Sequence, residues 1–390
     1  MKENIYLLDF SFWKKKFLSC FFPEGNCIFI SSEKFLSLIS KHRISRDAPA
    51  TVAIWATAKD SRSAKAIRGQ IRTLPLMKLV YLEDGFIRSL GLGSNFYYPY
   101  SLVADDLGIY FDPSAPSRLE KIMEETLTRE DRRDQLERAE KLRKSIIDHR
   151  QSKYYRASER QFLKRVADLK GHIRHNEEIG RIFEKVIFVP GQVSDDASVL
   201  AGGCGYDIIS LLKEVRSKYP DGCIIVKVHP DAYSGNRNGG ATVDELNRYA
   251  DMVFTSEFNS LECIEAAEEV HTISSLTGFE ALLRGKKVIC YGMPFYAGYG
   301  LTEDVAVARR HPVALAARER RYRQGYTLQD LIYAALISYP LYYNWEITHT
   351  TDAEGIVQQF AGMSESRRSL FCYAVFFGLV KPWMRLTGKA

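Results

Sequence analysis

Short apolar runs and longer helical stretches alternate along this 390-residue chain. Cys27-Ile-Phe-Ile30, Val52-Ala-Ile-Trp55 and Leu79-Val-Tyr-Leu82 are continuously hydrophobic, as strands covered on both faces must be, and they predict buried parallel strands. Between Ser117 and about Glu184 the chain turns to Glu, Lys and Arg at helical spacing, as in "LEKIMEETL" and "REDRRDQLERAEKLRKSIIDHR". Such charge patterning predicts a solvated helical arm between two domains. From Val186 the alternation resumes, with strands expected at 186–189, 223–228, 252–255, 270–274 and 287–291. Helices are expected near 205–218, 243–249, 258–267 and 277–284. Strands separated by helices of this length wind into a parallel sheet.

Two such regions joined by helices predict an α/β protein of GT-B-like architecture, with two Rossmann-type parallel-sheet domains and a helical insertion or connector. The expected boundaries are a first domain over 1–115, the connector over 116–184, a second domain over 185–335 and C-terminal helices over 336–390. A ligand cleft between the domains follows from the architecture, whereas the chemistry must come from the residues that line it.

Composition narrows the class. Hydrophobic residues make up 46% and charged residues 26%, the balance of a soluble globular protein. Seven scattered cysteines without a CxxC pair argue against a disulfide framework or a zinc site, so no metal is expected and a reducing compartment is. A net charge of +6, with no aromatic-basic RNA motif or DNA-reading helix, excludes nucleic acid as a partner. The N-terminus lacks the order of a signal peptide, and the longest apolar run, 370–380, falls short of the ~20 residues that a spanning helix needs. A cytoplasmic protein is expected.

Polar motifs fall where open parallel sheets present ligand sites, beyond the carboxyl ends of strands. "EDGFIRS" follows the strand at 79–82, "GQVSDDAS" the one at 186–189, "KVHPD" closes the one at 223–228, and "SSLTGFEAL" joins a strand to its helix. Each has a plain alternative: Asp84-Gly85 as a turn, Asp195 and Asp196 as helix caps, His229-Pro230 as the end of a strand. Taken together they describe a nucleotide-monophosphate pocket. Ser274, Ser275 and Thr277 offer hydroxyls and amides at a helix N-terminus, Lys227 and His229 add donors from a neighbouring strand, and Glu280 is placed for a ribose hydroxyl. Glu83, Asp84 and Asp196 face that pocket across the cleft.

The ordered series "EDGFIRSLGLGS", "SLVADDLGIYFDPSAPSRLE", "SKYY", "VPGQVSDDASV", "KVHPDAYSGNRNG", "VHTISSLTGFEALLRGKKVICYGMPFYAGYGLT" and "YTLQDLIYAALISYP", over about 76–340, resembles the KpsC family of bacterial capsular polysaccharide β-Kdo glycosyltransferases. The likeness is to the C-terminal module of the two-module members. It implies retaining transfer of Kdo, an acidic eight-carbon ketose, from the donor substrate CMP-β-Kdo to a glycolipid or Kdo-terminated oligosaccharide, without a further cofactor. Tyr299 stands where the family usually has Trp, "YPLYYNW" lacks the family's following proline, and the first 70 residues match poorly. One module in place of two implies one type of linkage.

Retention is most simply achieved by two displacements through a carboxylate. The family's nucleophile carries over to Asp196, with Asp195 behind it and Glu83 or Asp84 as acid/base. His229 and Lys227 then neutralise the departing phosphate, Arg88 or Arg237 pairs with the Kdo carboxylate, and Gln192 and Gly278 complete the donor-side candidates. Alternatives are an inverting CMP-sialic-acid-type transferase and a non-catalytic component of a capsule assembly complex. Residues 366–386 join a short apolar run to Arg367, Arg368, Lys381 and Arg385, which predicts either a final packed helix or a peripheral anchor at the inner face of the membrane.

Overall fold

The computed structural model describes residues 2–44, 48–89, 97–152, 159–174, 183–229 and 240–362. Four strands, β1 (Asn4–Leu8), β2 (Asn26–Ile30), β3 (Ala50–Trp55) and β4 (Met77–Asp84), run parallel in the order β2-β1-β3-β4. Next to β4 lies β5 (Ser101–Asp105), antiparallel to it. A second sheet holds β6 (Val186–Pro190), β7 (Cys223–Lys227), β8 (Met252–Phe254), β9 (Glu269–Thr272), β10 (Lys287–Cys290) and β11 (Glu303–Asp304). All six are parallel, in the order β11-β10-β9-β6-β7-β8. The chain order reverses between β6 and β9, and in the first sheet between β1 and β3. Crevices that accept ligands open at such reversals.

Side-chain type accounts for the strands. Cys223, Ile224, Ile225 and Val226 of β7 are all buried, as helices on both faces of a parallel sheet demand. Helix starts are written just as locally: Asp207 and Ser210 form a capping box for Ile208–Lys218, and Asn259 and Glu262 one for Ser260–Ala266.

Two expectations need correction. Residues after 336 do not form only helices, because β12 (Pro340–Asn344) and β13 (His349–Thr351) complete the first sheet in the order β13-β12-β5. Tyr342 and Tyr343 of β12 are buried, and its only proline opens the strand, where a missing N–H does little harm. A helix, Ala353–Gly362, then follows. Nor are the charged helices of 116–184 a solvated arm. Arg132–Asp148 buries Gln135, Ala139, Leu142 and Ile146, a helical stripe hidden among its many charges. Glu159–Arg174 is tied to the second sheet's Ser260–Ala266 helix by the Arg165–Glu262 ion pair at 2.5 Å.

Aromatic side chains fix the two sheets against each other. Phe86, just after β4, stacks on Phe295 at 4.3 Å between ring centroids and meets Tyr110 at 4.8 Å. Phe295 in turn contacts Phe279 of the Leu276–Leu283 helix at 5.2 Å. Each such pair contributes about 0.5–1.5 kcal/mol beyond its buried area. Among the described residues, no helix is long and apolar enough to cross a membrane.

Candidate active site

At the carboxyl end of β6 the backbone passes close to β7. Gly191 donates its amide to the Lys227 carbonyl at 2.8 Å, and a Cβ there would lie 2.7 Å from that oxygen and 3.1 Å from the His229 amide. Only glycine permits this approach. It places the next residue, Gln192, at the β6–β9 reversal. The Gln192 Oε1 accepts from the Thr272 hydroxyl and the Ile273 and Ser274 amides, each at 3.1 Å, and its Nε2 donates to Ser274 Oγ at 3.1 Å. Gln192 therefore clamps the ends of β6 and β9 together.

Asp196 caps the short helix Ala197–Gly202. Its Oδ1 accepts from the Ser198 amide at 2.9 Å and the Ser198 hydroxyl at 2.7 Å, and Ser198 Oγ lies 3.0 Å from Ser274 Oγ. The capping reading of this aspartate is thus realised, and the cap also joins Asp196 through Ser198 to the hydroxyl-lined start of the next helix. Ser275 caps Leu276–Leu283 by accepting from the Thr277 amide at 3.2 Å. Gly278 has a packing reason, since an added Cβ would lie 2.8 Å from Tyr296 Cζ. Glu280 is buried one turn in, with Arg284 near enough to feel its charge.

Lys227 turns elsewhere. Its ammonium donates to the Thr255 carbonyl just beyond β8, on the side of β7 away from β9, and burial lowers its pKa. His229 lies half-buried at the end of the same segment, while Arg237 lies outside the described residues. Among the described residues no group of three or more His, Cys, Asp or Glu is placed to hold a metal ion.

On the first sheet, Glu83 and Asp84 are the last residues of β4 rather than a loop after it. Strand alternation sends them to opposite faces, with different results. Asp84 forms an ion pair with Arg88, so this guanidinium already has a carboxylate. Glu83 Oε1 accepts from the Asp84 amide at 3.1 Å, whereas its Oε2 is buried with no hydrogen-bond partner. Burial, and then the neighbouring Asp84 charge, push the Glu83 carboxyl up to about 7. Gly85 is required here, because a Cβ would come 2.7 Å from that of Ser101.

Two residues that the sequence did not single out belong to this wall. Tyr110 is half-buried, and burial and the charges of Glu83, Asp84 and Asp196 hold its hydroxyl protonated. Asp196 and the end of β4 thus both lie within electrostatic reach of this one phenol. Lys14, on the helix Phe12–Lys15 that follows β1, lies 3.2 Å above the Trp55 ring, and burial lowers its pKa to about 8. Phe86, the phenylalanine of "EDGF", was a usable signal for Tyr110, since it packs against that ring. Nothing local in "SFWKKKF" sets Lys14 apart from its neighbours.

Two sheets of mainly parallel strands, with polar groups gathered at their carboxyl ends, define an α/β protein. Residues 51–342 match the family described as capsule polysaccharide biosynthesis protein, and the chain belongs to that family. It is 37% identical to the capsule polysaccharide modification protein LipA of Neisseria meningitidis serogroup B over 393 residues, which cover 99% of this chain and 50% of LipA. It therefore spans about half the length of that curated relative. The lipopolysaccharide-processing protein LpsZ of Rhizobium meliloti is 30% identical over 355 residues, covering 90% of this chain and 72% of LpsZ. Among solved structures, Thermosulfurimonas dismutans KpsC described as a beta Kdo 2,7 transferase superposes with a TM-score of 0.66 at 31% identity, covering 92% of this chain and 98% of that one. The KpsC structure described as a beta Kdo 2,4 transferase gives 0.68 at 27% identity, covering 91% and 98%. The expected resemblance to KpsC is borne out.

Proposed function

We propose that this protein is a retaining β-Kdo glycosyltransferase of GT-B-like architecture, moving Kdo from CMP-β-Kdo to a glycolipid or Kdo-terminated acceptor in capsule or lipopolysaccharide biosynthesis. The observation that carries the mechanism is that three carboxylates of unlike character lie within electrostatic reach of Tyr110. Asp196, fixed by Ser198 at the donor crevice, is the nucleophile. Its oxygen forms a bond to the anomeric carbon as the bond to the CMP phosphate breaks, giving an α-linked glycosyl-enzyme. The acceptor oxygen then displaces Asp196 from the opposite face and restores the β configuration.

Glu83 takes the acceptor's proton. A base poised near neutral pH suits that step, and a buried oxygen without a partner can accept a proton that Asp84, engaged by Arg88, is less free to take. The CMP phosphate lies against the Ser275-capped helix, where amides and the positive helix end meet it, and His229 supplies a donor as its charge grows. Lys227, turned to Thr255, serves the fold of the β7 end first.

Intact-mass analysis tests the reading directly. With CMP-Kdo and no acceptor, a Kdo adduct should form and map to residues 190–199. A product of inverted configuration would favour the sialyltransferase-like alternative, and absence of CMP binding would favour a non-catalytic assembly component. The basic, apolar segment 366–386 lies outside the described residues, so its membrane role remains an expectation: truncation before Ser366 should release the protein from anionic vesicles.

A further inference from the structure

The charged cluster on the first sheet contains one cation that the catalytic cycle above does not use. Ser11 caps the helix Phe12–Lys15 directly after β1, at the β1–β3 reversal of that sheet. The cap sets Lys14 over the Trp55 ring at 3.2 Å. Trp55 ends β3 and lies in register with Leu82, the residue before Glu83. Lys14 is thus one strand away from the carboxylate that takes the acceptor's proton. Among the described residues, no hydrogen bond or ion pair joins its ammonium to Glu83 or Asp84; Asp84 is held by Arg88 instead. A partly desolvated ammonium on an aromatic face, beside a proton acceptor but not spent on it, is placed to hold an anion that approaches the same spot. Phe12 on this helix is 73% exposed.

We propose that Lys14 binds the carboxylate of an acidic sugar acceptor and thereby makes transfer selective for acceptors that carry one. The inference rests on the transferase reading above and deepens it on the acceptor side. Holding that carboxylate over Trp55 brings a hydroxyl of the same sugar to Glu83. Neutral sugars lack the anchor and present their hydroxyls in unfixed positions. The groups that face Lys14 are Glu83 and Asp84, which favour its charge, and Arg88, which opposes it; with burial they bring it to about 8. Acid recognition should therefore weaken as pH rises above about 8.

The test compares a β-Kdo glycoside with its C1 carboxamide as acceptors for the whole chain, wild type and Lys14→Met. Wild type should bind the acid about 10–100-fold more tightly than the amide in calorimetry without donor, the range of one charge-assisted contact. In Lys14→Met the acid-to-amide ratio should fall to near one, and Lys14→Arg should restore part of it. Because each ratio is taken within one variant, partial misfolding does not disguise the result. An unchanged ratio in Lys14→Met overturns the proposal. So does equal weakening of both acceptors, which would make Lys14 only a counter-charge for Glu83. Release of CMP from CMP-Kdo by wild type is followed in parallel: if none occurs, the transferase reading fails while the binding ratio still decides the role of Lys14.

Discussion

At the end of β9 the polar groups answer one another: Gln192, Thr272, Ser274 and Ser198 close a net of hydrogen bonds in which the Asp196 carboxylate, accepting from Ser198, is satisfied. At the end of β4 the groups are charged and incompletely matched, with Glu83 Oε2 buried alone, Asp84 on Arg88 and Lys14 on a ring face. Both regions occupy the same place in their sheets. A satisfied net holds its shape through a cycle and suits a pocket for a leaving nucleotide. A charged cluster with unmet demands changes protonation readily and suits the wall where a proton must move. Strain of this second kind is tolerated where function uses it.

The comparison breaks first at Asp196, the point where the two walls meet. Asp196→Asn should keep the fold, because Asn caps helices as well as Asp and its Oδ1 can accept the same two bonds from Ser198. Turnover should nonetheless fall by roughly 10³-fold or more, as losing a covalent catalyst does. Retention of more than about a tenth of wild-type turnover would rule the residue out as nucleophile.

Next in size is Glu83→Gln, expected to cost about 10²–10⁴-fold in transfer while sparing adduct formation with the donor. The sign for stability is opposite. A folded-state carboxyl raised to about 7 binds its proton more tightly than the unfolded chain does, so the ionised group's burden appears as pH rises from about 4.5 to about 7. Glu83→Gln should therefore melt a few degrees above wild type at pH 8, with the gain vanishing below pH 4.5. Equal melting curves at pH 8 would mean that Glu83 carries no such burden.

Removing Gln192 probes the satisfied wall. Gln192→Ala leaves the Ile273 and Ser274 amides without their acceptor, a loss of about 1–3 kcal/mol each where such groups stay dry. CMP affinity should drop about 10–100-fold with the Lys14-side acceptor affinity unmoved, and titration of both ligands separates these. The smallest effect belongs to Asp84→Asn. Taking away the like charge beside Glu83 should move the acidic limb of the kcat/KM profile downwards from about 7. A limb that moves up, or stays, would assign it to another group.

Much of this was legible in the chain itself. β6, β7 and β10 each carry an apolar run that is buried in the fold but for a residue at one end, so their strands announce themselves within a residue or two. Asp196 and Ser275 are local features whose caps are written in neighbouring residues. β12 hid because its aromatic residues resemble the helical stretch before it and its partner, β5, lies more than two hundred residues earlier. The buried stripe of Arg132–Asp148 hid behind surrounding charges. Lys14 was invisible for a different reason: its meaning lies in Trp55 and Glu83, which reach it only through the register of β3 on β4.

The return of β12 and β13 to the first sheet carries a consequence for how the protein is made. Residues 340–351 supply two strands to a sheet whose other members all emerge from the ribosome before residue 106. That sheet stays open along β5, an exposed pairing edge, while the entire second sheet is translated. At roughly 5–20 residues per second, this means an interval on the order of tens of seconds. Closing such a long loop slows folding through its contact order, so chaperone demand should centre on the first half of the chain although its last strands relieve it.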